Sequence, residues 1–448
     1  MAEGMDFAGL VDLGAGTVER AAFTDPAIFA AEQERIFARA WLFLGHESQI
    51  PEPEDFFTSR MGTESVIVAR DRDGQVHALL NSCTHRGMKV CRHDYGKAKV
   101  FTCPYHGWSF SNDGRLAGVP GALVGVPHFD KAYRAELRRE DWGLSRAPRL
   151  ALYKGTIWAS WDQRAPDFLD YLGDMHRYLD YALDARDGSP GGSRTVAGVQ
   201  KWRVNCNWKF APENFIGDMY HDISHRSVDM VGIGPAGGRG RRAAFRPRLA
   251  IGFPGRGHGL LGELPTTETE PYNDAWALYP EVNDWHRAAH EARMARLAGQ
   301  PRVAMSVGTI FPNMSFHGRQ PRTIAVAHPV SPTVTEIWRW CLEDAAAPEA
   351  VNEAARSYFL RYSGPGGMTE SDDMENWSYA TTASQGPIAR RRPYNYQMGM
   401  GHARPAPGLR EAVECGELTE ENARIFHGRW ADFMRGTPWP MQVPHAAE

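Results

Sequence analysis

Hydrophobic positions along the chain change their period twice, and each change marks a segment boundary. After Asp25-Pro26 the residues Ile28, Phe29, Ile36, Phe37 and Ala40 recur at helical spacing and are predicted to face a core. Asp25 suits the N-cap, where a carboxylate takes an unpaired backbone N–H, and Pro26 suits the first helical position, where its missing N–H is not needed. Past Trp41 the pattern shortens to strands. Residues 66–70 and 75–82 flank Asp73-Gly74, a strong hairpin signal, and Asn112-Asp113-Gly114 marks a further turn. Residues 156–161, apolar and β-branched, read as the closing strand of a small β domain. The divisions fall at 1–40, a helical segment packing with the last domain; 41–162, the small β domain; and 163–448, a larger domain.

The larger domain mixes both periods. Asp187-Gly-Ser-Pro-Gly-Gly-Ser reads as a flexible connection, after which a second domain mixing long helices with strands is expected from Lys201. Residues 303–311, 324–330 and 335–342 are strand-like, and Pro329-Val-Ser-Pro joins the last two as an antiparallel hairpin. An α+β architecture follows, a central antiparallel sheet layered by helices. Residues 232–242, rich in glycine and arginine, form either a surface loop or a lid over an entrance. Thr419 is placed to cap a last helix whose Leu418, Ile425, Phe426, Trp430 and Phe433 form a core-facing stripe.

Composition narrows the class. A chain of 448 residues with a formal net charge of -4 carries no nucleic-acid footprint and exceeds one small core. There is no apolar run of about 18 residues, so no membrane span is expected, and the N-terminus lacks the order of a secretion signal, which makes the cytoplasm the expected compartment. Six cysteines in this length are not a disulfide framework. Cys91, Cys206, Cys341 and Cys415 read as plain thiols.

The other two cysteines change the picture. Cys83-Thr-His85 and Cys103-Pro-Tyr-His106 are two Cys-plus-His pairs with seventeen residues between His85 and Cys103. Thiolates hold electron-rich iron and neutral imidazole suits the more positive iron of the same cluster, so the set fits a two-iron, two-sulfide centre of Rieske type. Cys83 and Cys103 would bind one iron, His85 and His106 the other. The competing reading is a structural zinc site, but zinc fingers pair like ligands, whereas each half here holds one of each.

A second site is suggested by His221 and His225, with Asp218 three residues before the first. On a helix these offsets share a face, and the acidic run Thr369-Glu-Ser-Asp-Asp-Met-Glu-Asn-Trp can supply a carboxylate. Two His and one carboxylate leave coordination positions open, as in non-haem Fe(II) oxygenases. Zinc in a hydrolase is the rival, though a hydrolase has no use for an electron-transfer cluster.

Together these residues resemble the large (alpha) subunit of Rieske non-haem iron ring-hydroxylating oxygenases. The resemblance spans nearly the whole chain through Trp41-Leu-Phe-Leu-Gly-His, Cys83-Thr-His-Arg-Gly-Met-Lys-Val-Cys, Cys103-Pro-Tyr-His-Gly-Trp, Glu213-Asn-Phe-Ile-Gly-Asp-Met-Tyr-His, and Gly364 through Trp377. It implies a Rieske [2Fe-2S] domain inserted before a helix-grip-like catalytic domain. It also implies His221, His225 and Asp373 as ligands of one mononuclear Fe(II), with Asp372 as runner-up for the third place. Asp218 would bridge His106 of a neighbouring subunit to His221. Many members have four or five residues between the two histidines; this chain has three.

The implied activity is that of a terminal oxygenase adding both atoms of O2 to an aromatic ring, giving a cis-dihydrodiol. Electrons would come from NAD(P)H through a flavin reductase and a ferredoxin, for which Arg86, Lys89, Arg92, Lys97 and Lys99 offer a basic landing patch. The implied assembly is three alpha with three small beta subunits, or alpha subunits alone. Pocket positions correspond to Asn214, Phe215, Met219, Asp222, Ser363 and Thr369, a polar mix, with Phe311 and Phe316 as candidate apolar walls. The substrate is then an aromatic hydrocarbon, or an aromatic acid met by Arg239, Arg241 or Arg242. The alternatives are a monooxygenase or demethylase of the same fold and, from another class, a pure Rieske electron carrier, which needs no second site.

Overall fold

The Asp25 carboxylate accepts hydrogen bonds from the N–H groups of Ala27 (2.8 Å) and Ile28 (3.4 Å), and helix α1 (Pro26–Glu32) starts there as the sequence predicts. The computed structural model describes residues 7–117, 131, 133, 136–195, 198–218, 220–234, 249–319, 321–416 and 418–439. Two compact units share the chain. One spans Ala38–Ala165; the other joins the segments on either side, up to Phe37 and from Pro166.

The first unit is built from short antiparallel strands. Leu42–His46 pairs with Thr156–Ser160, which pairs with Arg149–Tyr153. A four-stranded sheet contains the expected hairpin, Glu64–Arg70 with Val76–Leu80, turning through Gly74 at φ +81°. Its alternating inward residues, Ile67, Ala69 and Leu79, share one core with Phe101, Trp108, Phe110, Cys83 and Cys103. Strands Val100–Thr102 and Ser109–Ser111 pair on either side of the loop that carries Cys103 and His106.

The second unit is organised by a ten-stranded antiparallel sheet. Its central strands run Val334–Asp344, Thr323–Ser331, Met314–His317, Met305–Ile310, His258–Gly262 and Leu249–Phe253, with Gln200–Val204 also paired to Val334–Asp344. The predicted hairpin closes with Ser331 opposite Val334. Helices α2 (Phe168–Leu172) and α3 (Met175–Leu183) precede the sheet, so the unit begins well before the glycines at 188–192. That glycine-rich run is an ordered turn instead of a joint. Ser189 N–H bonds Asp187 (2.9 Å), Gly191 N–H bonds Asp184 (2.7 Å), and Ser193–Thr195 enters the sheet edge. Helices α4 (Phe210–Phe215), α5 (Arg226–Val231), α6 (Pro280–Arg296), α7 (Glu349–Tyr362), α8 (Met368–Ala383) and α9 (Glu421–Met434) complete it. No helix among the described residues is long and apolar enough to cross a membrane.

Helix α9 follows Thr419, whose hydroxyl accepts the Glu421 N–H at 3.1 Å. Ile425, Phe426, Trp430 and Phe433 are buried as expected, but Leu418 is 71% exposed because it precedes the helix and lies off its inward face. The deepest polar contact in this unit is at Glu32. Its carboxylate, 0% exposed, receives the ammonium of Lys209 and the indole N–H groups of Trp208 (2.8 Å) and Trp430 (2.7 Å). Burial lowers the Lys209 pKa while Glu32 opposes the shift. Since a buried charge left without its partner costs about 3–5 kcal/mol, Glu32→Gln is expected to lower the guanidinium unfolding midpoint strongly. Lys209→Met added to it should recover most of the loss. A single variant as stable as the parent would refute the clamp.

Candidate metal centres

Cys83 and Cys103 open two turns of the same build. Gly87 N–H donates to Cys83 O (2.8 Å) and Gly107 N–H to Cys103 O (3.0 Å), while Cys83 N–H returns to Met88 O (2.8 Å) and Cys103 N–H to Trp108 O (2.7 Å). Both glycines hold positive φ, +73° and +74°, where a side chain would be strained. The sulfurs are buried, and the His85 and His106 rings stand 4.6 Å apart between centroids. Trp108 stacks on His85 (4.9 Å, 8°) and Tyr105 on His106 (3.7 Å, 29°). Buried Asn81 accepts the N–H groups of Val90 (3.0 Å) and Cys91 (2.8 Å), which fixes the start of the connector.

The electrostatics of this corner favour the neutral forms of its own groups. Burial raises the Cys83 thiol, and the adjacent Cys103 raises it further; burial and then His106 lower His85. His85 Nδ1 is buried with no hydrogen-bond partner among the described residues. Two abutting thiols, two abutting imidazoles and a free lone pair fit a positively charged two-iron group.

The other centre follows α4. Gly217, at φ +150°, lets the chain pass beneath Asn422 of α9, whose Nδ2 donates to Ile216 O at 2.8 Å; a Cβ on Gly217 would lie 2.8 Å from that nitrogen. Beyond it the chain advances by single turns, with Ser224 N–H on His221 O (2.9 Å) and His225 N–H on Asp222 O (3.1 Å), and α5 starts only at Arg226. The two histidines therefore do not share one helix face, as the four-residue offset predicts, because the glycine break leaves turns where a helix was expected. Their Nε2 atoms nevertheless meet at 3.1 Å.

Asp373, in the second turn of α8, brings Oδ1 to 3.4 Å from His221 Nε2 and 3.2 Å from His225 Nε2. That oxygen is buried and has no hydrogen-bond partner among the described residues, although the two rings lie within ionic reach. On the far side of each ring stands another carboxylate: Asp218 Oδ1 is 3.0 Å from His221 Nδ1, and Asp372 Oδ2 is 3.0 Å from His225 Nδ1. Burial disfavours the charged His221, yet Asp218 and Asp373 outweigh it and push the group up to about 10. Burial also works against the Asp373 charge, but the two imidazoles hold its carboxyl below the usual range. Two Nε2 atoms and one Oδ1 facing a common point form a one-sided ligand set, and a carboxylate behind each imidazole is the support that orients metal-bound histidine.

Residues 40–129 match the Rieske [2Fe-2S] domain, and residues 172–436 match the ring hydroxylating alpha subunit catalytic domain. The chain belongs to the Rieske non-haem iron ring-hydroxylating dioxygenase alpha subunits. This oxygenase subunit is 37% identical to the biphenyl 2,3-dioxygenase subunit alpha of Rhodococcus jostii (strain RHA1), over 97% of this chain and 92% of the relative. It is 30% identical to the N,N-dimethyl phenylurea N-demethylase subunit alpha of Sphingobium sp. (strain YBL2), over 94% and 92%. Among solved structures it resembles naphthalene 1,2-dioxygenase from Rhodococcus sp. bound to indole, with a TM-score of 0.75 and 33% identity over 95% of this chain and 98% of that one.

Around the oxygenase's histidine pair, Asn214 and Phe215 lie at the end of α4, and Phe215 meets His317 (5.4 Å) and Trp377 (6.0 Å) edge-on. Asp222 sits between the two histidines. Ser363 and Thr369 are buried with their hydroxyls turned to the protein, Ser363 accepting from Arg339 at 3.5 Å and Thr369 donating to Tyr362 O. Met219, Arg239, Arg241, Arg242 and residues 235–242 of the glycine and arginine run lie outside the described residues. Neither candidate aromatic wall is brought to the histidines. Phe311 packs on Phe426 and Phe433 of α9, and Phe316, adjacent to His317 on its strand, alternates to the opposite sheet face.

Sequence reasoning missed His317, Arg339 and Glu370. Arg339 and Glu370, 1% and 3% exposed in their side chains, form an ion pair at 2.7 Å; Glu370 lies one helical turn before Asp373, and the Arg339 guanidinium lies over Phe215 at 5.2 Å. Only the Glu370 offset within the acidic run could have signalled it. Supports behind metal ligands are worth about 10–100-fold in affinity. Asp372→Ala is thus expected to weaken Fe(II) retention by about that factor, and His225→Ala to abolish it, both with the Rieske electron paramagnetic resonance signal intact. Full iron loading in His225→Ala would remove the histidine pair from the iron site, and full loading in Asp372→Ala would remove that carboxylate's supporting role.

Proposed function

We propose that this subunit is the terminal component of an aromatic dioxygenase that adds both atoms of O2 to adjacent ring carbons, giving a cis-dihydrodiol. The convergence of His221 Nε2, His225 Nε2 and Asp373 Oδ1 on one side carries the reading, in a chain that also contains a Rieske-type domain. His221, His225 and Asp373 hold Fe(II); Cys83, Cys103, His85 and His106 hold the [2Fe-2S] cluster. When bound, the iron supplies dioxygen activation and the cluster supplies single electrons.

The chain's own residues do the positioning. Asp218 and Asp372 fix the two rings, and Asp218 is where an electron from the cluster of a neighbouring subunit would enter. Exposed Arg86, Lys89, Arg92, Lys97 and Lys99 form the landing patch for an acidic ferredoxin, itself reduced by NAD(P)H through a flavin reductase. Three alpha subunits would bring clusters and irons into pairs, with small beta subunits completing a hexamer. Six unpaired cysteines suit a reducing cytoplasm. Ser363 and Thr369 use their hydroxyls within the protein, and Phe215 presents its ring beside His317, so these positions offer less polarity to a substrate than their sequence suggests. This supports an aromatic hydrocarbon, as do relatives named for biphenyl and benzene.

The test combines purified subunit, ferredoxin, reductase and NADH with biphenyl, naphthalene, benzene and benzoate under labelled dioxygen. Mass spectrometry should find two labelled oxygens in a dihydrodiol. One labelled oxygen would select the monooxygenase or demethylase reading that the N-demethylase relative favours, and none would refute both. Asp218→Ala, supplied with enough Fe(II) that iron and cluster are both full, should still lose about 10–100-fold in NADH-linked turnover; unchanged turnover would eliminate its bridging role.

A further inference from the structure

We infer that the catalytic unit holds a second binding site, for a small carboxylate, in a cavity walled by Arg186, Tyr272, Trp276, His286, Arg293 and Arg319. None of these belongs to the iron centre, and the inference stands apart from the proposed oxygenation. Arg186 is fixed at two points: its backbone N–H donates to Asp344 Oδ2 (2.7 Å) and its Nη1 to Gly318 O (3.2 Å). What remains is the Nε and Nη2 edge of the guanidinium, whose two parallel N–H groups match the two oxygens of a carboxylate. Both atoms are buried with no hydrogen-bond partner among the described residues.

Other lining residues repeat the pattern. Trp276 is 1% exposed, and its Nε1 also lacks a partner among the described residues, as do His286 Nε2 and Arg319 Nε. Buried donors are ordinarily paired, so several orphans around one cavity indicate an occupant that accepts from them. Asp184 and Glu270 share the lining; Asp184 already takes the Gly191 N–H at 2.7 Å and Arg319 already pairs with Glu263 at 3.2 Å, so Arg186 is the guanidinium with a whole edge to offer. Burial, then Arg322 and Arg293, hold the Arg186 guanidinium well below its ordinary value, a strain that a bound anion relieves.

Size and surface define the ligand further. The cavity has about 160 Å³ of room, below the about 300–1,000 Å³ of pockets for larger ligands. Half-buried Tyr272 and His286 offer aromatic surface to the carbon part of the acid, with Trp276 stacked on His286 (3°, 5.5 Å between centroids). An aryl carboxylate such as benzoate meets both requirements. Gly318, which anchors Arg186, directly follows His317, so the acid would bear on the strand end that faces Phe215.

Isothermal titration of the holoprotein with benzoate, and separately with inorganic phosphate, tests the site. One saturable benzoate site is expected, weakened at least tenfold in Arg186→Gln and several-fold in Trp276→Phe, and unchanged in His225→Ala, which removes a ligand from the iron centre. Should Arg186→Gln fail to fold, Trp276→Phe decides, since it keeps an aromatic ring and deletes the indole N–H. No saturable benzoate binding, equal affinity in the folded cavity variants, phosphate binding in its place, or loss of binding in His225→Ala would each overturn the proposal.

Discussion

A single buried carboxylate holds the oxygenase unit in register. Glu32 belongs to the first helix, Trp208 and Lys209 to the approach to the histidine loop, and Trp430 to the last helix, 398 residues from Glu32 in sequence. An ion pair removed from water is costly unless every oxygen and proton is used. Here the two carboxylate oxygens meet an ammonium and two indole N–H groups, and the rings of Trp208 and Trp430 also lie 5.0 and 5.5 Å from the ammonium. Lys209 immediately precedes α4, so the start of the segment leading to His221 is set by this contact before any metal ligand is considered.

From that anchored start the metal-facing end is arranged by charge. Each imidazole stands between two carboxylates, one shared at the centre and one private at its back. The shared carboxylate, Asp373, has the buried Arg339–Glu370 pair beneath it. This places a net negative cluster at the centre and a balanced pair behind, a layout that favours a cation at one point only. The other unit uses a different device: two matched glycine turns position Cys83, His85, Cys103 and His106 from the backbone, buttressed by the side chains of Asn81, Ser82, Ser109, Trp108 and Tyr105.

That contrast explains what could be read from the sequence. The meeting of Cys83, His85, Cys103 and His106 was legible because each pair is local, carried with the glycine its turn requires. The hairpin at Gly74, the cap at Asp25 and the Ser331–Val334 turn were legible for the same reason. Which carboxylate faces both imidazoles was not settled by residue pattern, since Asp372 and Asp373 are adjacent and only helix rotation sends one to the centre and the other to the back of His225. The helix expected across His221 and His225 failed at Gly217, whose need for space under Asn422 is a tertiary fact. Arg339 lies outside any motif and reaches the site through sheet packing.

Asn422 is crowded by three glycines, Gly217, Gly252 and Gly259, each of which would clash with it if given a side chain. The histidine loop is therefore moulded against a helix encoded near the end of the chain. Ala38–Ala165 form a compact unit from one contiguous segment, whereas His221 and His225 wait about 200 residues for the helix that shapes their approach. On the ribosome, the electron-carrying half can mature while the oxygen-handling half is still missing its mould.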